Sequence, residues 1–380
     1  MKLYWFIQQD YFFGGADLIC VELANELARL GYDVTAVFSS QKHDDSPFKL
    51  NTKLKIEYLN LPFSIIRADN ESALKWKNKK NPFPVIGIWL KATWFFMFGK
   101  FKYRRRVKKM VGDNDLIIAS SLDNYLMMPR NKNLIHHYHF NAKYFFSFGE
   151  KAARGFCVKP EKYVFLCKST YGNVIDKKPK LKPKALYIDN PSRFKRVENF
   201  DNKDGRLLFV GRLVPQKRPL LMCEVANILK QEYNDFKLTF VGEGAYKEEM
   251  VKYIRDHDLE KNVEMIDRDN DLIKRYHDSD LLVMTSEFEG LPLSVIEAAS
   301  QSTPTITLDW GDAVDDLIKD GESGYVIKDD NLKNMANCIR RLLEDDDELR
   351  KLKQNTYNFS RNYEMKTIIK KWEELLKENN

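Results

Sequence analysis

Several things are scarce in this sequence, and each scarcity narrows what the chain can be. No run of about 20 uninterrupted apolar residues occurs, which argues against a bilayer-spanning helix. Five cysteines, Cys20, Cys157, Cys167, Cys223 and Cys338, are scattered without a Cys-x-x-Cys pair or a regular spacing. They read as reduced core thiols of a cytosolic protein. The N-terminus, MKLYWFIQQD, turns polar too soon for a signal peptide. Between Ser72 and Gly112 there is no acidic residue at all, while twelve residues are basic. No recognisable nucleic-acid module accompanies that basic stretch, so nucleic acid is not the expected partner.

What is present is enough for two cores. The chain has 380 residues and 43% hydrophobic content, longer than one typical domain. Its net charge of +7 hides two opposite halves. Residues 1–190 hold 32 Lys and Arg against 17 Asp and Glu, which leaves 30 against 38 of the totals 62 and 55 for 191–380. A basic first half is suited to something anionic.

The most informative stretch is TSEFEGLPLSVIEAA, Thr285 to Ala299, which follows an apolar strand, LLVMTS. Gly290 and Pro292 bend the backbone. A helix beginning near Ser294 leaves its first N–H groups without intrahelical partners, and these form an anion site. Glu289 lies on the loop and Glu297 one turn inside the helix. Carboxylates beside a phosphate must address its neutral surroundings, so their targets are hydroxyl groups. A ligand that carries a diphosphate and many hydroxyls is a nucleotide sugar.

Taken in order, KLYWFIQQ reads as a buried strand, Gly14-Gly15 as a tight loop, and the next stretch as a helix with apolar Leu18, Val21, Leu23, Leu27 and Leu30, ended by Gly31. DVTAVF follows as a strand; this is the start of a doubly wound sheet, whose ligands lie at the strands' carboxyl ends. The Ser72–Gly112 segment interleaves its basic residues with aromatics, and its apolar part is broken by Lys91 and Lys100. That pattern suits an amphipathic segment lying on an anionic membrane, with a core helix carrying a solvated basic end as the plainer alternative. DLIIAS and NLIHHYHF are further strands; alternation puts His137 and His139 on one face. No carboxylate or cysteine stands at metal-ligand spacing from them, and no metal site is expected. YVFLCKS and ALYIDN complete the first half, with DKKPKLKPK read as a linker between them. In the second half RLLFVG is a strand, after which Arg212 and Lys217 supply a fork and a point charge suited to a diphosphate. KLTFVGEG, VEMI, LLVMTS, TPTITLD and GYVIK continue the strand-helix rhythm of a parallel sheet.

Glu289 and Glu297, eight apart, resemble the Glu-x7-Glu motif of glycosyltransferase family 4, retaining enzymes of the GT-B fold. GGADLICVELANELARLGYDVTAVF resembles that family's glycine loop and first helix, IDNPSRF its interdomain crossing, LLFVGRLVPQKRP the opening of its second domain, and FVGEG and DGESGYVI two later signatures. The chain departs from the pattern at Asp267-Arg268, where a glycine is common, and at Gln301-Ser302, where Cys-Gly is usual.

The resemblance implies two Rossmann-like domains facing a cleft: residues 1–190 for the acceptor, 191–362 for the nucleotide sugar, and a last helix, 363–380, crossing back to the first. It implies a metal-independent, retaining sugar transfer in cell-surface glycan synthesis, from a UDP-linked donor to a glycan or polyprenyl-linked acceptor. The enzyme would sit on the cytoplasmic face of the membrane, held through 72–112. In this reading Arg212 and Lys217 stabilise the leaving diphosphate, Glu289 holds the donor sugar, and Glu297 holds the ribose. His139 stands at a strand end in the cleft. Gly14, Gly15, Gly290, Leu291, Pro292 and Leu293 form the binding loops. A GT-B epimerase or phosphorylase, or a subunit that has lost catalysis, remains as an alternative; the joint presence of Arg212, Lys217, Glu289 and Glu297 argues against lost catalysis.

Overall fold

The computed structural model describes residues 2–8, 15–39, 52–60, 100–147, 158–202, 204–269, 271–328 and 330–378, and the structural statements below concern these residues. The chain divides into two compact units. The first comprises Met1–Leu166, Val174–Ile188 and Ile369–Asn380, and the second Cys167–Asn173 and Asp189–Ile368.

The first unit is built on seven parallel strands: β1 (Leu3–Ile7), β2 (Val34–Phe38), β3 (Lys55–Tyr58), β4 (Leu116–Ala119), β5 (Leu134–Tyr138), β6 (Lys162–Phe165) and β7 (Ala185–Tyr187). Their order is β3-β2-β1-β4-β5-β6-β7. Every residue of β1, β2, β4 and β5 is buried. A parallel sheet covered on both faces demands such continuous apolar strands rather than alternating ones. The helix Gly15–Arg29 lays Val21, Leu23 and Leu27 into the core, but Leu30 falls beyond its end and is 42% exposed. DKKPKLKPK is not a linker: it finishes the helix Lys168–Lys177 and continues as a 3-10 turn, Pro179–Lys184, started by Pro179. Pro at the first helical position costs no hydrogen bond, which is why a proline-rich stretch can hold a helical turn.

Of the basic segment, residues 72–99 lie outside the described residues. The remainder contains the helix Lys100–Met110, which buries Tyr103 and Val107 among Tyr4, Phe6, Ile117, Tyr125 and Met127. Phe101 is 73% exposed. No helix among the described residues is long and apolar enough to cross a membrane.

The second unit has six parallel strands, β8 (Arg206–Val210), β9 (Lys237–Val241), β10 (Val263–Ile266), β11 (Leu281–Met284), β12 (Thr305–Leu308) and β13 (Gly324–Ile327), in the order β10-β9-β8-β11-β12-β13. Both sheets therefore reverse direction of growth beside their first strand, the doubly wound arrangement in which ligands collect at the strands' carboxyl ends. Beneath this sheet Lys353 and Asp280 form a fully buried pair at 2.9 Å. The second oxygen of Asp280 accepts from the amides of Gly205 and Arg206 (3.1 Å each), and Lys353 also donates to the Asp201 carbonyl. A pair this buried costs about 3–5 kcal/mol to break from one side.

The last helix, Met365–Glu378, carries Trp372 into the first unit, where its ring lies 5.0 Å from that of Trp5 and 5.0 Å from that of His137. Tyr32 donates to Glu373 at 3.1 Å. The burial of Ile369, Trp372, Leu375 and Leu376 supplies the apolar stripe that holds the helix there.

Candidate functional site

In the second unit the loops after β8, β9 and β11 are stitched together. Leu213 N–H donates to Glu243 O (2.8 Å) and Tyr246 N–H to Leu213 O (3.0 Å). The fit needs glycine: a Cβ at Gly242, where φ is +152°, would lie 2.0 Å from Gly211 O, and one at Gly244 would lie 2.2 Å from Leu213 O. The glycines of FVGEG thus let the β9 loop lie directly under the segment that carries Arg212.

After Leu213, a 3-10 turn, Pro215–Lys217, ends at Arg218, which adopts a left-handed conformation (φ 45°) and starts the helix Pro219–Glu232. A non-glycine residue there is strained, and the strain is held by the side chain. Arg218 donates to the carbonyls of Thr285 (2.7 Å) and Ser286 (3.1 Å) and pairs with Asp330 at 2.5 Å, while Thr285 donates back to Arg218 O (2.9 Å). Gln216 adds a bond to Phe288 O (2.9 Å), and Glu287 N–H donates to Gln216 O (2.9 Å). The two loops are consequently one piece.

That piece brings Lys217 to Glu289. Their side chains form an ion pair, 15% and 8% exposed. An ammonium has three donors; with one on Glu289, two remain. Glu289 Oε2 has no hydrogen-bond partner among the described residues, nor does the exposed guanidinium of Arg212. Gly290 is half-buried and Leu291 and Pro292 are buried, and the helix Leu293–Ser300 begins with Pro292 as its N-cap and no side-chain capping bond. Its first amides are left for another acceptor.

Glu297 is 2% exposed and both its oxygens are in use: Oε1 accepts from Arg193 Nε at 2.6 Å and Oε2 from the Tyr276 hydroxyl at 3.1 Å. Burial, and then the adjacent Glu297 charge, push the Tyr276 hydroxyl well above its ordinary pKa, so it stays a donor. Each carboxylate oxygen retains a second lone pair. Arg193 and Tyr276 escaped sequence reading, as did Arg218. Arg193 stood within the quoted IDNPSRF and Arg218 next to Lys217, but nothing in the spacing ties Arg193 to a carboxylate 104 residues away.

The first unit holds the other expected residues. Gly15 opens the first helix, and Gly14 lies outside the described residues. His139 comes directly after β5, half-buried, with its Nε2 3.1 Å from His137 Nδ1. Burial lowers the pKa of His139 to about 3 and drives that of His137 well below the ordinary histidine range, so both are neutral. The tertiary structure also brings Cys20 to both, Sγ lying 3.5 Å from His139 Nε2 and 4.0 Å from His137 Nδ1. A cysteine absent at ligand spacing in sequence is therefore present in space. Asp17, also unforeseen, accepts from Gln8 N–H at 3.2 Å and is raised to about 7 by desolvation.

Residues 191–359 match the family model described as glycosyl transferases group 1. Over 99% of its length and 99% of the other's, the chain is 25% identical to an uncharacterised glycosyltransferase of Haemophilus influenzae. It is 33% identical to a Staphylococcus aureus poly(ribitol-phosphate) alpha-N-acetylglucosaminyltransferase over 43% of this chain and 33% of that one. It is 30% identical to a Campylobacter jejuni N-acetylgalactosamine-N,N'-diacetylbacillosaminyl-diphospho-undecaprenol 4-alpha-N-acetylgalactosaminyltransferase over 48% of this chain and 49% of that one. The chain thus spans between a third and a half of the length of these last two relatives. Among solved structures, a variant of S. aureus TarM in complex with fondaparinux, alpha-GlcNAc-glycerol and UDP superposes with a TM-score of 0.78 at 17% identity, over 99% of each chain. Anabaena HepE in complex with UDP gives 0.72 at 16%, over 100% of each.

Proposed function

We propose that this chain, a glycosyltransferase of the GT-B fold, moves a hexosyl or N-acetylhexosaminyl group from a UDP-linked donor to a glycan or polyprenyl-linked acceptor in cell-surface glycan synthesis, with retention at the anomeric carbon. The observation that carries the reading is the Lys217–Glu289 pair, held on fused loops at the carboxyl ends of β8 and β11 beside the uncapped helix start at Leu293.

Breaking the glycosidic bond leaves negative charge on the nucleoside diphosphate, and fixed donors aimed at that charge lower the barrier. Two remaining N–H bonds of Lys217, the guanidinium of Arg212 and the amides at Leu293 and Ser294 supply them, so the transfer needs no metal. Glu289 Oε2 takes a hydroxyl of the donor sugar. Glu297, aligned by Arg193 and Tyr276, uses its remaining lone pairs for the ribose hydroxyls. Neutral His139, in the first unit, serves the acceptor through hydrogen bonding. That unit binds the acceptor, the second the donor. Retention is supported by the relatives whose names specify alpha-linked products, since an alpha-linked donor giving an alpha-linked product keeps its configuration.

A basic helix face at Lys102, Arg105, Lys108 and Lys109, beside exposed Phe101, recruits the enzyme to the cytoplasmic face of an anionic membrane, where a polyprenyl-linked acceptor resides. The test is incubation of the purified chain with a panel of UDP-sugars and a polyprenyl-diphosphate-linked glycan, with the product's anomeric configuration read by NMR coupling constants. Transfer from no UDP-sugar, or a beta-linked product from an alpha-linked donor, refutes the corresponding part of the reading.

A further inference from the structure

Cys20, His137 and His139 converge from the first helix, β5 and the residue just past its end. Their ligand atoms form a triangle with edges of 3.1 Å (His139 Nε2 to His137 Nδ1), 3.5 Å (Cys20 Sγ to His139 Nε2) and 4.0 Å (Cys20 Sγ to His137 Nδ1). A tetrahedral zinc ion, at about 2.0–2.1 Å from nitrogen and about 2.3 Å from sulfur, separates its ligand atoms by roughly 3.3–3.6 Å. The triangle brackets those separations, so an ion enters with shifts of a few tenths of an ångström.

The hydrogen bonding within the cluster points the same way. His137 Nδ1 has one lone pair or one proton to offer, yet it is faced by Ser120 Oγ at 3.4 Å as well as by His139 Nε2 and Cys20 Sγ. Trp5 Nε1–H donates to Ser120 Oγ at 2.6 Å, which leaves the Ser120 hydroxyl proton to be aimed elsewhere. Three neutral groups crowd one ring nitrogen, and they cannot all bond to it. A cation at the centre of the triangle removes the competition of His139 Nε2 and Cys20 Sγ for that nitrogen, because Cys20 Sγ, His137 Nδ1 and His139 Nε2 then all act as lone-pair donors to the ion. Cys20 and His137 are fully buried, walled by Trp5 and Trp372, whereas His139 is only partly so and gives an ion its way in.

We propose that Cys20, His137 and His139 form a zinc site with an open fourth position. The donor set, one thiolate and two imidazoles, suits Zn²⁺ over the oxygen-seeking Mg²⁺ and Ca²⁺. Binding takes the thiol proton of Cys20 into solution, and the thiolate and the ion leave one net positive charge among two neutral rings. On the transferase reading, an ion on His139 Nε2 takes that nitrogen away from the acceptor and acts as an inhibitor rather than as a cofactor.

Cobalt is the probe, since a thiolate bound to Co²⁺ gives a near-ultraviolet charge-transfer band and a tetrahedral ion gives intense visible bands. The full chain is stripped with a chelator, dialysed and titrated with Co²⁺, then with Zn²⁺ in competition. One Co²⁺ per chain with both signatures is expected. The charge-transfer band is lost in Cys20→Ser and kept in Cys167→Ser. Zn²⁺ affinity falls on the order of 100-fold or more in both Cys20→Ser and His139→Ala, beyond the 10–100-fold typical of groups behind the ligands. A spectrum without thiolate bonding, or a band that survives in folded Cys20→Ser, overturns the site; His139→Ala repeats the test should Cys20→Ser fail to fold. In the transfer assay Zn²⁺ inhibits the native chain and spares Cys20→Ser, whose rate in chelator equals the native one. If Co²⁺ binds through Cys20 while Zn²⁺ leaves transfer untouched, the zinc site stands and the place of His139 in the reaction is what fails.

Discussion

Lys217, on the loop after β8, is ion-paired with Glu289, on the loop after β11, and both side chains are largely removed from water. Buried charge is retained only where it is compensated, and here each partner compensates the other while keeping unused hydrogen-bonding capacity. The pair fixes the Lys217 ammonium in place without spending all its donors, as the proposed donor site requires. Changing either partner therefore alters the stability of both loops and, in the proposed reading, the donor site they carry.

Lys217→Ala lowers turnover by about 10²–10³, the size measured when one donor to a developing anion is removed. It also leaves Glu289 unpaired, so thermal unfolding is recorded on the same sample. A folded Lys217→Ala protein with near-native turnover takes Lys217 out of the chemistry.

Glu297→Gln weakens UDP binding by roughly tenfold or more, the worth of a hydrogen bond to a charged group. The amide keeps its oxygen toward Arg193 and turns its NH₂ toward the Tyr276 hydroxyl, which loses one acceptor for ribose. Glu289→Gln leaves affinity for bare UDP unchanged and impairs transfer. Calorimetry with UDP alone separates the two, and equal affinities for native and Glu297→Gln chains would return Glu297 to a purely structural role.

Transfer activity of the metal-free chain does not fall when a strong chelator is added, because the proposed reading assigns the charge of the diphosphate to Arg212, Lys217 and the helix start. Loss of activity in EDTA, restored by Mg²⁺ or Mn²⁺, contradicts that charge assignment.

His139, at about 3, and His137, lower than the ordinary range, are neutral in the folded chain, whereas the unfolded chain protonates both near 6.5. Between pH 6.5 and 3 the unfolded state binds more protons, so these groups make stability fall as pH drops. Asp17, at about 7, works in the opposite direction, since between about 4 and 7 the folded state holds its proton. The measurement is Tm against pH in chelator for the native chain and His139→Gln: the variant loses less stability between pH 7 and 5. Parallel curves would mean that His139 is not held neutral by burial.

The chain floats with liposomes containing anionic lipid, and a variant with Lys102, Arg105, Lys108 and Lys109 changed to Gln floats less while still transferring to a soluble acceptor. Arg104 and Arg106 are left intact, because Arg104 donates to the carbonyls of Met127 and Met128 (3.3 and 3.1 Å) and Arg106 to that of Leu59. Salt weakens a purely ionic attachment, so binding that persists at high salt reports insertion of aromatics such as Phe101. Indifference of the native chain to anionic liposomes refutes the recruitment.

Strand positions were legible from the sequence because parallel sheets covered on both faces need unbroken apolar runs, and LLVMTS became β11 for that reason. The start at Leu293 and the helix at Pro219 were legible from proline, glycine and the preceding strand, which act locally. The Lys/Pro-rich stretch misled because the same residues that break a long helix can hold a short 3-10 turn. Side-chain partnerships are another matter. Arg193 meets Glu297 across 104 residues, and Cys20 meets His137 across 117. Each depends on which strands of a sheet become neighbours and which loops then share an end. Local composition determined the elements and their order. Only the tertiary packing decided that Glu297 would be held by Arg193 and Tyr276, and that a cysteine on the first helix would lie against His137 of β5 and His139 just past its end, because contact between distant residues is a property of the sheet's topology rather than of spacing along the chain.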